Sequence, residues 1–204
     1  DTPGGLSESM RKIVKKEIGL RVPVIVFVSP SGSRAASAGV WITEAADVAA
    51  IAPATNIGSS TPIDSSGQNL GSDLRRKVIN DAVASLTSLM RFHGRNAAWA
   101  AAAVRKASNL DERRAKAINV VDVLAPSLPA LLNKIDGRKT VGKNYTLHTA
   151  NAEIVNVDPG FFTRLLNALI DPNILPLLFL AGIAGIGFEI FHRGVGGEHF
   201  GAEA

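Results

Sequence analysis

A run of fifteen residues without a charged side chain, from Ile174 to Phe188, constrains this chain more than any other feature. A helix that crosses a bilayer needs about 18 to 20 residues, and Asn173 with residues 189–192 can extend the run to that length. Three glycines within the run suit a membrane segment, because they allow close packing between helices. The whole chain is also apolar, with a mean hydropathy of +0.17. We therefore expect a transmembrane helix over 173–192, with a buried or interfacial helix as the alternative.

An apolar stripe lies immediately before this run. Its members recur at helical spacing and predict an amphipathic juxtamembrane helix over 159–172. The residues after the membrane segment, 193–204, are polar and glycine-rich and predict a tail. Residues 1–158 are long enough to form one domain with its own core. The stripe consists of Phe161, Phe162, Leu165, Leu166, Leu169 and Ile170.

Residues 1–158 alternate between strand and helix signals. The β-branched run Val24 to Val28 predicts a buried strand, the small residues of Ala35 to Ala46 predict a close-packed helix, and Val48 to Ile51 predicts a second strand. This order is typical of a parallel sheet with crossover helices, in which functional groups gather where strands lead into helices. Farther along, Asn109 to Ala117 predicts a capped helical turn and Thr140 to Val157 a weak hairpin.

The composition excludes several kinds of site. The chain has no cysteine, which excludes disulfides, thiolate metal sites and cysteine nucleophiles. It has no histidine pair at helical spacing and no phosphate-binding glycine loop, so we expect no metal and no cofactor. The net charge of +4 is scattered along the chain and predicts no nucleic-acid partner. Any nucleophile must therefore be a hydroxyl group.

Ser37 is the candidate nucleophile. It lies among the small residues Ala35 to Gly39, between a turn and a predicted helix, where amides at the helix start can stabilise an oxyanion. An N-capping or core serine is the alternative interpretation. The run Pro3-Gly4-Gly5 can direct backbone N–H groups at a carbonyl oxygen, although the same residues also suit an ordinary type II turn.

A serine nucleophile needs a base, and Lys77 is the candidate. The first of the four histidines is His93, well after Ser37 in the sequence, and it is the next candidate for the base. We place Lys77 at the start of a helix beside two arginines, where positive charge favours the neutral amine. A solvated basic cluster is the alternative. The polar segment Asp64 to Asp73 before this helix predicts a mobile loop. Glu44 and Asp47 are assigned to a helix surface.

Four motifs follow one another along the chain: Asp1 to Gly5, Ser33 to Ile42, Ala52 to Ser59, and Pro62-Ile63. Together they resemble the NfeD-type membrane-bound serine proteases of the ClpP class, also known as stomatin operon partner proteases. The resemblance continues towards the C-terminus and covers nearly the whole chain. It implies an α/β fold of the ClpP/crotonase type, built from repeated strand-strand-helix units, N-terminally truncated here and followed by a transmembrane helix.

The resemblance also implies a site and a reaction. Ser37 and Lys77 match the family's catalytic dyad, the amides of Gly5 and Ala38 would form the oxyanion hole, and Gly4 would shape the turn. Family substrates are hydrophobic peptide segments, including the C-terminal region of a stomatin-like membrane protein. We accordingly expect an endopeptidase in contact with membrane lipid, at least dimeric, with its protease domain on the extracytoplasmic side of the cell membrane.

Three rival functions remain open from the sequence. A signal-peptide peptidase of the Ser–Lys type would share the fold and the nucleophile. A crotonase-like enzyme would use the same oxyanion hole on an acyl-CoA, with carboxylates in place of serine and lysine. A non-catalytic membrane scaffold would bind a stomatin-like partner without cleaving it.

Overall fold

The computed structural model describes residues 1–63, 71–169 and 174–195. The chain separates into two compact units, Asp1–Ala152 and Glu153–Ala204. The first unit contains all the strands of the described residues, and the described part of the second consists of an irregular segment and two helices.

Six short strands form two three-stranded sheets in the first unit. In one sheet the order is β1-β3-β6 and all pairs are parallel. In the other the order is β2-β4-β5, with β2 parallel and β5 antiparallel to β4. The strands are β1 Ile25–Val28, β2 Arg34–Ala36, β3 Val48–Ile51, β4 Asn56–Gly58, β5 Asn109–Asp111 and β6 Val123–Leu124.

Six helices belong to the first unit and two to the second. Between α3 and α4 the residues Ala97–Trp99 form a single 3₁₀ turn. The helices of the described residues are α1 Ser7–Gly19, α2 Ala38–Ala45, α3 Ser72–Phe92, α4 Ala100–Arg105, α5 Glu112–Ala117, α6 Leu128–Ile135, α7 Phe161–Leu169 and α8 Leu175–Val195.

The central strand β3 and the helix α2 form the middle of the core. All four residues of β3 are buried, as expected for the middle strand of a parallel sheet. Small residues in α2 allow it to pack closely against its neighbours, and α3 contributes the fully buried Leu86 and Met90. The partly exposed helix α1 covers this cluster with Met10, Val14 and Ile18. These contacts hold α2 in the core, and the candidate site described below lies at its N-terminal end.

The predicted helix from Ala35 to Ala46 is wrong at its beginning. Arg34–Ala36 form β2, which pairs with β4 on one side and with Thr2 on the other, and the helix starts only at Ala38. Alanine favours helices in isolation, but here backbone pairing on both sides of a buried segment outweighs that preference. The chain therefore changes from strand to helix at the single residue Ser37.

Two other predictions need correction. The predicted helical turn from Asn109 begins as a strand, β5, and only then becomes α5, whose first turn is capped by the Asp111 side chain. The predicted hairpin from Thr140 to Val157 is reduced to one bridge between Lys139 and Thr146. Its C-terminal residues cannot bury an alternating apolar face, since Val157 is 91% exposed.

The predicted mobile loop from Asp64 to Asp73 lies, over residues 64–70, outside the described residues. Its last two residues, Ser72 and Asp73, already belong to the first turn of α3. Residues 196–204 of the predicted polar tail also lie outside the described part of the chain.

Glu44 and Asp47, assigned to a helix surface from the sequence, are buried instead. Arg95 donates to the Glu44 carboxylate at 3.4 Å and to Asp122 at 2.7 Å, and Lys143 donates to Asp47 at 2.6 Å. Burial raises the pKa of the Glu44 carboxyl above its ordinary value, although the Arg95 guanidinium acts in the opposite direction. Buried charges of this kind persist only when they are paired.

The second unit contains the apolar helix α8. Among the described residues one helix, α8, is long and apolar enough to cross a membrane, with a mean hydropathy of 1.7 over Leu175–His192. None of the residues of that stretch is buried. Length, composition and exposure together mark α8 as a candidate membrane span.

Candidate active site

Ser37 joins β2 to α2 in an unusual backbone conformation. Its φ is 53° and its ψ is −118°, a region that residues with a side chain seldom adopt. Its N–H donates to the Gly58 carbonyl at 3.1 Å, which ties this bend to the neighbouring strand β4. Strained conformations of this kind persist where the surrounding structure holds them and are common at functional sites. The half-buried side chain therefore lies at the point where a parallel strand leads into a helix.

The N-terminal segment brings two glycines beside Ser37. Thr2 pairs with β2 through its N–H to Arg34 and through its carbonyl from the Ala36 N–H, at 2.7 and 2.9 Å. Gly4 has a φ of 153°, and a Cβ placed on it would lie 3.4 Å from the Cβ of Ser37. A side chain at Gly4 would therefore contact Ser37 and would require a backbone conformation that L residues rarely adopt.

Gly5 and Ala38 lie next to each other at the N-terminal end of α2. A Cβ placed on Gly5 would lie 3.8 Å from the Cβ of Ala38. Ala38 is the first residue of the helix, and the Ser37 side chain at the N-cap position makes no capping hydrogen bond. Amides in the first turn of a helix have no acceptor within the helix and carry its positive partial charge. This is the environment in which two N–H groups can bind a developing oxyanion.

Lys77 lies on α3, but it does not begin that helix as the sequence predicts. The helix begins at Ser72, so Lys77 is its sixth residue and stands beyond the first turn. The positive field of a helix N-terminus falls off within that first turn, and its effect on Lys77 is correspondingly small. The Lys77 side chain is exposed, beside Arg76, which pairs with Asp73 at 3.1 Å.

A single cavity of about 480 Å³ brings the predicted site residues together. Ser37 and Lys77 both line it, although α2, β3, β4 and residues 59–71 separate them in the sequence. Gly5 and Ala38 line it as well. Apolar side chains from three helices form much of the remaining wall, which suits an apolar ligand segment. These side chains are Met10, Trp41, Val78 and Ala82.

Charged groups border the same cavity. Arg11 on α1 and Asp81 on α3 form an exposed ion pair at 2.6 Å that joins the two helices beside the cavity. Within the described residues no hydrogen bond joins the Ser37 hydroxyl to the Lys77 amine. Catalytic hydrogen bonds are often long in structures without substrate and tighten when substrate binds.

His93 and His148, the histidines of the first unit, do not line this cavity. His93, the alternative base, is buried at the end of α3 with its ring edge-on to Phe92, at 4.9 Å between ring centroids, and does not line the cavity. Burial and then the neighbouring Arg95 lower the pKa of His93. His148 and His192 are exposed, and His199 lies outside the described residues. Among the described residues no group of three or more candidate ligands could hold a metal ion.

The sequence alone predicts no role for Arg95. Its buried guanidinium donates to the carbonyls of Glu44 and Ala46, at 3.0 and 2.7 Å, at the C-terminal end of α2. The opposite end of the same helix carries Ser37. The only signal in the sequence was a single arginine after a glycine, and its acceptors lie about fifty residues away.

No protein-family model matches the sequence. The chain is 36% identical, over 189 residues, to a membrane-bound protease of Pyrococcus horikoshii. That match covers 90% of this chain and 43% of the other protein, so the chain spans less than half the length of this curated relative.

Two solved structures of a membrane-bound stomatin-specific protease are similar to this chain. One is a lysine-to-alanine variant in complex with a substrate peptide, with a TM-score of 0.75 and 33% identity, and the match covers 84% of this chain and 80% of that one. The other is a serine-to-alanine variant, with a TM-score of 0.72 and 34% identity over 78% and 80% of the two chains.

The predicted mixed α/β fold of the ClpP/crotonase type is confirmed by this likeness. The identity and the coverage of the solved chains also confirm the resemblance that the four sequence motifs indicated. We conclude that this chain belongs to the family of NfeD-type membrane-bound serine proteases of the ClpP class.

Proposed function

We propose that the full-length protein is a membrane-bound serine endopeptidase that cleaves hydrophobic peptide segments with Ser37 as nucleophile and Lys77 as general base. The observation that carries this proposal is the shared cavity: the serine, the lysine and the two candidate oxyanion amides all line it. A similar solved membrane protease, from Pyrococcus horikoshii, is specific for a stomatin homologue. We extend that substrate class to the C-terminal region of a stomatin-like partner of this protein.

The reaction follows from the chemistry of these groups. The Ser37 Oγ attacks the peptide carbonyl carbon while the neutral Lys77 amine takes the hydroxyl proton. The N–H groups of Gly5 and Ala38 bind the resulting oxyanion. When the tetrahedral intermediate collapses, the leaving amine takes the proton from Lys77, and a water molecule then hydrolyses the acyl-enzyme with the same lysine as base. Gly4 keeps the backbone close to Ser37 without obstructing it.

The apolar wall of the cavity supports the proposed substrate class. Trp41 and Ala82 are buried, Met10 and Val78 are partly exposed, and all four face the cavity that Ser37 borders. An extended segment with large apolar side chains would cover this surface, and each buried methylene contributes about 0.8 kcal/mol to binding. Charged segments would lose hydration without gaining a partner, apart from the ion pair at the cavity edge.

We also propose the domain organisation and the setting of the enzyme. Residues 1–158 would form the protease domain, 159–172 a juxtamembrane helix, 173–192 the membrane span and 193–204 a polar tail. The similar protease is membrane-bound, and α8 supports the same attachment here. The extracytoplasmic side for the protease domain, an assembly of at least two copies and contact with membrane lipid are parts of this proposal.

Hydrolysis of a peptide by the full-length protein tests the proposed function. A fluorogenic peptide with a hydrophobic centre should be cleaved by the wild type, and the rate should fall at least about 1,000-fold in Ser37→Ala, because removal of a serine nucleophile leaves only binding and oxyanion stabilisation. Ser31→Ala, an exposed serine in the preceding turn, is the matched control and should keep the wild-type rate. Equal rates for Ser37→Ala and the wild type would refute the mechanism.

A further inference from the structure

The short helix α7 has one strongly apolar face. At 100° per residue its five large apolar side chains fall within an arc of about 140°, and Thr163, Arg164 and Asn167 occupy the opposite side. Arg164 also keeps its charge on that polar side, where its Nε donates to the Pro159 carbonyl at 2.9 Å. The apolar side chains, with their exposed fractions, are Phe161 74%, Phe162 77%, Leu165 43%, Leu166 60% and Leu169 41%.

This face needs a partner. Contiguous exposed apolar surface on a protein in water marks a contact with another protein, a ligand or a membrane. Within the second unit, to which α7 belongs, no described residue buries this face, and every residue of α7 is exposed. A helix of nine residues is about 14 Å long, far below the thickness of about 30 Å of the bilayer core, so α7 cannot itself cross a membrane.

The position of α7 in the chain points to lipid as the partner. The candidate membrane span begins at Leu175, and only residues 170–174 separate it from the end of α7. Six peptide steps reach at most about 20 Å, so α7 stays within that distance of the point where the chain enters the bilayer. The short connection therefore keeps α7 close to the boundary between the membrane and water, where an apolar face can be buried.

We infer that α7 lies along the membrane surface, with its phenylalanine and leucine face in the boundary between headgroups and acyl chains and its Arg164 face in water. Helices with a wide apolar stripe and a polar opposite face adopt this orientation beside a bilayer. The attachment of the chain to the membrane then begins at Phe161, before the span itself. This inference rests on the membrane attachment through α8 that is proposed above, but not on the proposed protease activity.

Single-cysteine labelling tests the orientation directly, because this 204-residue chain has no cysteine of its own. We would place an environment-sensitive fluorophore at Leu165→Cys and Leu166→Cys on the apolar face, and at Thr163→Cys and Asn167→Cys on the polar face. Each variant of the chain would be reconstituted into phosphatidylcholine vesicles, with and without lipids that carry a nitroxide near the headgroup. Ile183→Cys in α8 is the control for a label inside the bilayer.

We expect blue-shifted emission at residues 165 and 166 and a loss of most of their fluorescence to the nitroxide lipids. The labels at 163 and 167 should emit as in water and be quenched by aqueous iodide. Equal lipid quenching at all four positions would overturn the inference. It would also fail if the apolar-face labels escaped both quenchers, which would mean that protein covers them, or if oxidation linked unlabelled Leu165→Cys chains, which would mean that a second copy does.

Discussion

Ser37 has a positive φ because it must end a strand and begin a helix within one residue. β2 is held on both sides, by Thr2 and by β4, and α2 is held in the core, so the backbone change is confined to the residue between them. The Ser37 N–H donates to the Gly58 carbonyl, and Ser37 lines the cavity. The unfavourable backbone geometry of Ser37 costs free energy, and it persists because the elements on both sides hold it.

The base is tested by a substitution that keeps its charge. In Lys77→Arg the guanidinium cannot lose a proton in a protein, so it cannot accept the proton of Ser37. We expect the rate of peptide hydrolysis to fall about 100-fold or more, the usual contribution of a general base. Arg76→Lys, an exposed neighbour on the same helix, is the matched control and should retain wild-type activity. Activity of Lys77→Arg above a tenth of the wild-type rate would assign the base to another group.

At the scale of elements, α2 runs from the cavity at its N-terminal end to the buried Arg95 at its C-terminal end. Its N-terminal end presents Ser37 and the Ala38 amide to the cavity, and its C-terminal carbonyls are bound by the buried Arg95. Arg95 also reaches Asp122, whose carboxylate accepts the N–H of Ala49 in β3. One network of hydrogen bonds therefore links α2 to the central strand.

The helix α1 provides a test of the buried charges. Burial raises the pKa of Glu17 to about 7, with Lys143 opposing and Asp47 adding to the shift. The folded protein therefore holds this proton more tightly than the unfolded chain does, and stability should fall as the pH rises from about 4.5 to about 7. Glu17→Gln removes this loss. We expect the difference in melting temperature between Glu17→Gln and the wild type, measured by circular dichroism, to be more positive at pH 8 than at pH 4.

Glu8→Gln is the control for this prediction, because Glu8 is exposed on the same helix and pairs only with Lys12. It should show no gain in melting temperature over the wild type at pH 8, because it removes an exposed ion pair. If Glu17→Gln behaved as Glu8→Gln does, the buried carboxyl of Glu17 would not contribute to the pH dependence of stability.

At the scale of the whole molecule, elements with a local signal could be predicted and contacts between distant residues could not. Val48 to Ile51 forms a strand in the predicted place because its own residues determine it. Glu44 and Asp47 were misplaced because their partners Arg95 and Lys143 lie 51 and 96 residues away. Of the candidate site, the separate motifs of Ser37 and Lys77 were visible in the sequence, but their common cavity and its apolar wall arise only from the packing of α1, α2 and α3.

The central claim is that Ser37 is an activated nucleophile, and a fluorophosphonate probe measures this directly because it reacts covalently with such serines. The full-length protein should carry the adduct on Ser37 when its peptides are identified by mass spectrometry. The adduct should be absent in Ser37→Ala, strongly reduced in Lys77→Arg and unchanged in Ser31→Ala. An unlabelled Ser37 in protein that cleaves peptides, or an adduct on Ser60 or Ser85 in the same cavity, would contradict the account.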